Sequence, residues 1–317
     1  MSLAHAIETG DLTALPSRRD EDWRWTDLRG LLRTLPPAAP VRLERIVVPA
    51  GETRAVVLRI DAAADSAQVT RVSIEIGDGG HLALTEAYEG EGVSDTELTV
   101  AVGVNSRLER FVMTHNSENA VCVSRAEVTL APTAVLRQTV LTSGAKRQRL
   151  ETRVTHPGAG AAVQLDGLYL LGHKRHADIT TVVTHAGVGG TTDQLIKGVV
   201  RDQARGVFQG RIVVSPGADQ TEARMGHHAL VLSDRAEVDG KPELEIYADD
   251  VVCAHGNTVG ALDEDALFYA RQRGIPDLEA RAMLTEAFVG AVVDRIEDDA
   301  AREAARAWVA GQLGRAS

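Results

Sequence analysis

Residues 154–158 read VTHPG and residues 183–187 read VTHAG, one five-residue phrase written twice, 29 positions apart. Working outward, versions of it stand at IEIGD from Ile74, VAVGV from Val100, VTLAP from Val128 and VVSPG from Val213. Successive starts are 26, 28, 26, 29 and 30 residues apart. Each phrase is a β-branched strand end that runs into a turn residue. A loose phrase at near-constant spacing is what a parallel solenoid requires, because every coil turns at the same place and stacks its inward aliphatic residues on the coil below. An antiparallel sandwich with evenly spaced hairpins has a similar rhythm, but it calls for two-residue hairpin turns, and few dipeptides here suit them. The fold expected is mainly β: a solenoid core over residues 46–256, a short helical or irregular segment over 1–45 and a helical domain over 257–317.

The flanks read differently from the core. Asp20, Glu21 and Asp22 precede Trp23, Trp25 and Leu28, which suggest an apolar stripe on a short helix or turn that packs onto the main body. The run from Pro36 to Pro40 breaks any helix and marks a boundary. Beyond Gly260, Asp263 suits the N-cap of a helix through Leu267, Phe268 and Arg271 that ends at Gly274. Pro276 and Asp277 open a longer helix whose Leu284, Ala287, Phe288, Ala291, Val292 and Ile296 fall at helical spacing on one face. A last helix runs from about Asp299 through Trp308 and Leu313. A tail of this size buries too little to stand alone, so it is expected to pack on the end of the solenoid or on another protein.

Composition narrows the function. The 317 residues carry a formal net charge of −11, which argues against nucleic acid or an anionic membrane as partner. Aromatic residues are 3% of the chain, so the core must be built from Val, Leu, Ile and Ala. The N-terminal MSLAHAIETG has neither the basic nor the apolar region of a signal peptide, and no apolar run reaches about 18 residues. Two cysteines, Cys122 and Cys253, make no disulfide framework, and a cytoplasmic location is expected. The chain contains no GxxxxGK[ST], so it is not expected to hydrolyse ATP by itself, and neither GxSxG nor HExxH occurs.

The residues with most chemical promise lie in KPELEIYADDVVCAHGNTVG, residues 241–260. Extended geometry through this stretch puts Cys253 and His255 on one face, where a thiolate and an imidazole can bind Zn, Fe or an iron–sulfur species. Two ligands are half a site, and the remainder must come from elsewhere in the fold, from another chain or from the cargo. Equally, Cys253 can be a small buried hydrophobe and His255 a turn residue before Gly256. A second group, His173, His176, Asp178 and His185, is interrupted by Lys174 and Arg175, and reads as histidines that cap solenoid turns. The same reading covers His156, His227 and His228.

EDWRWTDLRGLL (21–32) and the longer LVLSDRAEVDGKPELEIYADDVVCAHGNTVGALDEDALFYARQRGI (230–275) resemble the SufB/SufD family of iron–sulfur cluster assembly proteins. GLYLLGHKRHAD and GVFQGRIVV are landmarks between them, and Cys-Ala-His-Gly at 253–256 is similar to the SufD branch. The resemblance implies a right-handed parallel β-helix flanked by helical regions. It implies a non-catalytic scaffold that pairs with a SufB-like subunit through the final β-helix strands and docks a SufC-like ABC ATPase on its C-terminal helices. Cys253 and His255 would then lie at the SufB interface and help hold iron or a nascent cluster transiently, with no cofactor bound stably by this chain alone. Leu267, Phe268, Tyr269 and Arg273 are the corresponding candidates for ATPase docking. Typical members have a longer N-terminal region than the one here. Two other functions compete: a homodimeric architectural protein, with the last strand pairing to its symmetry mate, and a β-helix carbohydrate-active enzyme, for which exposed aromatic residues are scarce.

Overall fold

The structure, a computed structural model, describes residues 2–314. In chain order the strands are β1 (Arg42–Val48), β2 (Thr53–Ala62), β3 (Ala67–Ile76), β4 (His81–Gly90), β5 (Val93–Val102), β6 (Arg107–Asn116), β7 (Val121–Leu130) and β8 (Val135–Thr142). They continue as β9 (Arg147–His156), β10 (Ala162–Leu171), β11 (His176–His185), β12 (Thr191–Val200), β13 (Arg205–Val214), β14 (Thr221–Val231), β15 (Glu237–Ile246) and β16 (Val251–Gly260). Odd-numbered strands form one eight-stranded parallel sheet and even-numbered strands another, each strand pairing with the one two places on. Each coil contributes one strand to each sheet, so the body is a parallel β-solenoid.

Alternation explains why these segments form strands and which way they face. Along β7, Cys122, Ser124, Ala126, Val128 and Leu130 are buried between the sheets while Arg125, Glu127 and Thr129 face out. Stacked in register, Ile46, Ile74, Val100, Val128, Val154, Val183, Ile212 and Leu244 form one continuous inward column. Five of the six sequence phrases lie in that column. The sixth does not: the structural equivalent of Val183 is Ile212, one residue before Val213. Ile212 and Val214 are fully buried and Val213 faces out, and a one-residue slip in a strand exchanges its two faces. Strands also extend past the expected core limits, from Arg42 to Gly260.

The interior is not wholly apolar. Glu86 on β4 and Arg110 on β6 point inward and are buried, joined by two hydrogen bonds. Arg110 also donates to Gln138 Oε1 (2.6 Å) and Thr152 Oγ1 (3.1 Å), and Tyr88 OH donates to Glu86 (2.8 Å). A buried pair survives only when its remaining hydrogen-bonding capacity is met in this way.

Helical segments cover the two outer faces. On the odd-strand sheet lies helix α1 (Leu3–Thr9), capped by Ser2, whose hydroxyl accepts from His5 N, and ended by Gly10 in the left-handed region at φ 74°. Buried Asp95 on β5 accepts from Ala4 N (2.9 Å) and fixes this helix to the sheet. The chain then crosses the same sheet. The Arg149 guanidinium lies 4.6 Å from the Trp23 ring centroid, Thr26 donates to Asp178 and His176 Nε2 donates to the Trp25 carbonyl (3.0 Å). Of the expected stripe, Leu28 is fully buried and the two tryptophans are half-buried.

On the even-strand sheet lie α2 (Glu264–Gln272), α3 (Asp277–Val293) and α4 (Asp299–Gly314). Asp263 Oδ1 accepts from Asp265 N and Ala266 N, as an N-cap should. The helices share a core with Leu141, Leu168, Val199 and Leu230 from the sheet. This tail therefore packs on the flank of the solenoid rather than its end, and the last coil stays uncovered. Of the expected apolar face, Val292 and Ile296 are buried and Leu284 and Phe288 pack against this core, joined by Ala280, Thr285, Val289 and Val293, while Ala287 and Ala291 face out. The packing against β10 and β12 selects these residues, which spacing along the helix alone does not distinguish. No helix among the described residues is long and apolar enough to cross a membrane.

Candidate functional site

The last even strand, β16, brings Cys253 and His255 to the open end of the solenoid. Cys253 stacks in register on Ala223 and His255 on Met225, both buried interior residues, so the two face the same way, as expected from period two. Cys253 is half-buried against the core. Burial pushes its thiol up from the ordinary value, and a backbone hydrogen bond from Ala223 opposes that rise. His255 is exposed. Among the described residues no group of three or more His, Cys, Asp or Glu is placed to hold a metal. The chain thus supplies a soft sulfur donor and an imidazole, a pair suited to iron or zinc but two ligands short of a closed tetrahedral site.

The backbone around the pair matters as much as the side chains. Glu222 N donates to Gly190 O and Leu232 N to Val200 O, so the even-numbered residues of β14 bond back to β12. Alternation then turns the odd-numbered residues of β14 toward β16. On β16 itself, with Cys253 opposite Ala223, the residues Val251, Cys253, His255, Asn257 and Val259 point their N–H and C=O groups at the free edge. The sister strand β15 differs. Glu237 N donates to Ala204 O and Tyr247 N to Val214 O, so Pro242 falls among its free-edge positions, where it supplies no N–H. At the opposite end of the solenoid, Arg42 occupies one free-edge carbonyl of β2, that of Arg59 (2.7 Å). β16 therefore presents an uninterrupted row of backbone donors and acceptors.

The second group of candidates does not converge. His176 and Asp178 face outward under the N-terminal segment, and His185 faces inward on the same strand. Asp178 is engaged by Arg149 (2.8 Å), Thr180 (2.8 Å) and Gln209 (3.0 Å). Burial, with Arg147 adding to it, pushes the His176 imidazole down to about 3. His185 sits 4.3 Å from the His156 ring inside the solenoid, and burial drives these two to about 3 and about 4. The turn-capping role fits His156, whose Nδ1 accepts from Gly158 N (3.2 Å), and His173, which occupies a turn at φ 57°. His185, in register with His156 at the end of β11, bonds Thr192 (2.9 Å) rather than a turn amide, while His176 opens β11 and His227 is buried within β14.

His227 belongs to an arrangement that the sequence reading missed. Its Nδ1 donates to Asn257 Oδ1 (2.7 Å), and its Nε2 and Tyr169 OH are 2.9 Å apart. The ring stacks on Phe208 at 4.9 Å. Burial pushes His227 down to about 4, so at neutral pH the ring has one proton, and Tyr169 OH must donate to Nε2. Asn257 follows Cys253 and His255 on the inward face. The 30-residue offset from His227 to Asn257 is that of the whole β14–β16 register, which only the pairing of the two strands reveals.

The ATPase-docking candidates separate. Leu267 is fully buried in the helical core and has no surface to offer a partner, a consequence of its position on the side of α2 that packs into that core. Phe268 and Tyr269 are each about 60% exposed, and Arg273 lies over the Tyr269 ring and donates to its hydroxyl (2.9 Å). Leu278 and Met283 of α3 are also exposed apolar residues.

Comparison with known proteins bears on this geometry. The family described as "SUF system FeS cluster assembly, SufBD core domain" matches residues 58–288. An Iron-sulfur cluster assembly SufBD family protein of Synechocystis is 30% identical over 62% of this chain and 44% of its own length. The Iron-sulfur cluster assembly protein SufD of Escherichia coli is 27% identical over 77% of this chain and 58% of its own. The chloroplastic protein ABCI7 of Arabidopsis thaliana is 30% identical over 77% of this chain and 52% of its own. The chain spans about half the length of the curated relatives it matches. With a SufBD core domain over most of a two-sheet parallel solenoid, the chain belongs to the SufB/SufD family of the SUF iron–sulfur cluster assembly system.

Proposed function

We propose that this chain is a non-catalytic scaffold subunit of a SufBCD-type assembly, and that β16 is where it meets a SufB-like subunit. The observation that carries the reading is the free edge of β16. A strand added there would lie about 4.8 Å away and carry its own inward side chains beside Cys253 and His255. The missing ligands of the half-site would then come from the partner, and iron or a nascent cluster would be cargo shared across the junction. The exposed Phe268, Tyr269 and Arg273 on the flank are the proposed contact for a SufC-like ATPase. The compartment proposed is the cytoplasm.

The same edge also supports a second reading, pairing of two copies of this chain when no SufB-like partner is present. Co-expression with SufB-type and SufC-type partners, followed by mass measurement in solution, separates the two. The scaffold reading expects a heteromeric assembly to form at the expense of any homodimer. A homodimer that persists in the presence of both partners would refute it.

A further inference from the structure

We propose that Asn257 is a third functional residue of the end site: its side-chain NH2, aimed by the Tyr169–His227 pair, donates a hydrogen bond to an anionic sulfur ligand of iron held at His255. This rests on the reading of Cys253 and His255 as cargo ligands. The polarity of the arrangement follows from its members. Asn257 Oδ1 can only accept, so His227 Nδ1 carries the proton, Nε2 accepts, and Tyr169 OH donates. With its oxygen held in that way, the amide nitrogen of Asn257 lies over Gly240 and makes no hydrogen bond among the described residues. Donors beside a bound anionic ligand stabilise its charge and fix its orientation.

The interior is shaped to admit this arrangement. A Cβ at Gly198 would meet the Tyr169 ring at 1.9 Å, and one at Gly206 would meet it at 2.4 Å. A Cβ at Gly240 would meet Asn257 Nδ2 at 2.4 Å. Glycine weakens a strand interior, and these three positions use it where a side chain of the array needs the space. A lone surface asparagine needs no such accommodation. Tyr169 and His227 touch no cargo and are positioning residues.

Two measurements test the proposal. In the isolated chain with 15N-labelled histidine, the ring nitrogens of His227 should report a protonated Nδ1 and an unprotonated Nε2 at neutral pH. Tyr169→Phe, which keeps the ring in its glycine-lined space, should disturb that tautomer. A protonated Nε2 in the wild-type chain would overturn the assigned orientation. In the assembled complex loaded with ferrous iron and sulfide, Asn257→Ala should lower retained iron severalfold and Tyr169→Phe less so, with complex mass unchanged. Asn257→Asp, which replaces the donors with a charged acceptor, should be no better than Asn257→Ala. Wild-type iron retention in Asn257→Ala, alongside loss in His255→Ala, would overturn this inference alone. Wild-type retention in His255→Ala as well would overturn the reading on which it rests.

Discussion

Val259→Pro tests the strand-pairing proposal with little cost to the chain itself. Val259 is near the end of β16, half-exposed, and its N–H and C=O point to the free edge, so proline there removes no bond of the β14–β16 ladder. Five residues of β16 have edge-facing groups, Val251, Cys253, His255, Asn257 and Val259. An added strand can bond to each of them through one N–H and one C=O. Proline at 259 deletes one donor, and its ring crowds a strand about 4.8 Å away, so the C=O of the same residue is lost to pairing too. Two hydrogen bonds at about 0.5–1.5 kcal/mol each give about 1–3 kcal/mol. This corresponds to about a 5- to 150-fold rise in Kd. Titration calorimetry of the purified variant with a SufB-type subunit reads it directly, with thermal unfolding of the chain alone as control. The reverse change, Pro242→Val, restores an edge donor on β15 and should leave Kd unchanged or lower it. If Val259→Pro bound as tightly as the wild type while staying folded, β16 would not be the pairing edge.

Other consequences concern the body of the molecule. Arg110→Met leaves Glu86 buried and unpaired and should cost about 3–5 kcal/mol in urea unfolding, whereas the double variant with Glu86→Leu should recover most of it; equal losses in both would show that the pair is not the source. Asp95 is pushed up to about 7 by burial, then by Glu97, against the opposing Ala4 hydrogen bond. Because its folded value lies above the unfolded one, the unfolded state holds fewer protons between about pH 4 and 7, and stability from this group falls as pH rises through that window. Hydrogen exchange of the α1 amides, corrected for intrinsic rates, should show weaker protection at pH 8 than at pH 5, and Asp95→Asn should remove the difference. Protection that rises with pH in the wild type would contradict the assignment.

The fold is written in short-range features, and that is why it can be read without coordinates. A coil repeats because its turn and its inward aliphatics repeat, so phrases at 74, 100, 128, 154 and 183 locate the stack. The slip at Val213 arose because β13 ends in three consecutive aliphatics, Ile212, Val213 and Val214, which leave its inward face undefined until neighbours fix it. Helix caps at Asp263 and Gly274 are equally local. By contrast, the side of the solenoid that each helical segment covers depends on contacts between distant residues. Thr26 with Asp178 and Arg295 with Asp166 are examples. Leu267 and Phe268 are adjacent large apolar residues, and only the packing of α2 into the core shared with α3 decides that the first is buried and the second exposed. At the end site, period two placed Cys253 and His255 on one face. The unblocked edge beside them, and the Tyr169–His227–Asn257 array behind them, emerge only when the coils are stacked.

The shared half-site is tested most directly by iron K-edge X-ray absorption on the assembled complex loaded with iron and sulfide. Cys253→Ala should remove one sulfur neighbour from the iron shell and His255→Ala one imidazole, with the mass of the complex unchanged. An iron environment identical to wild type in the double variant would contradict the account.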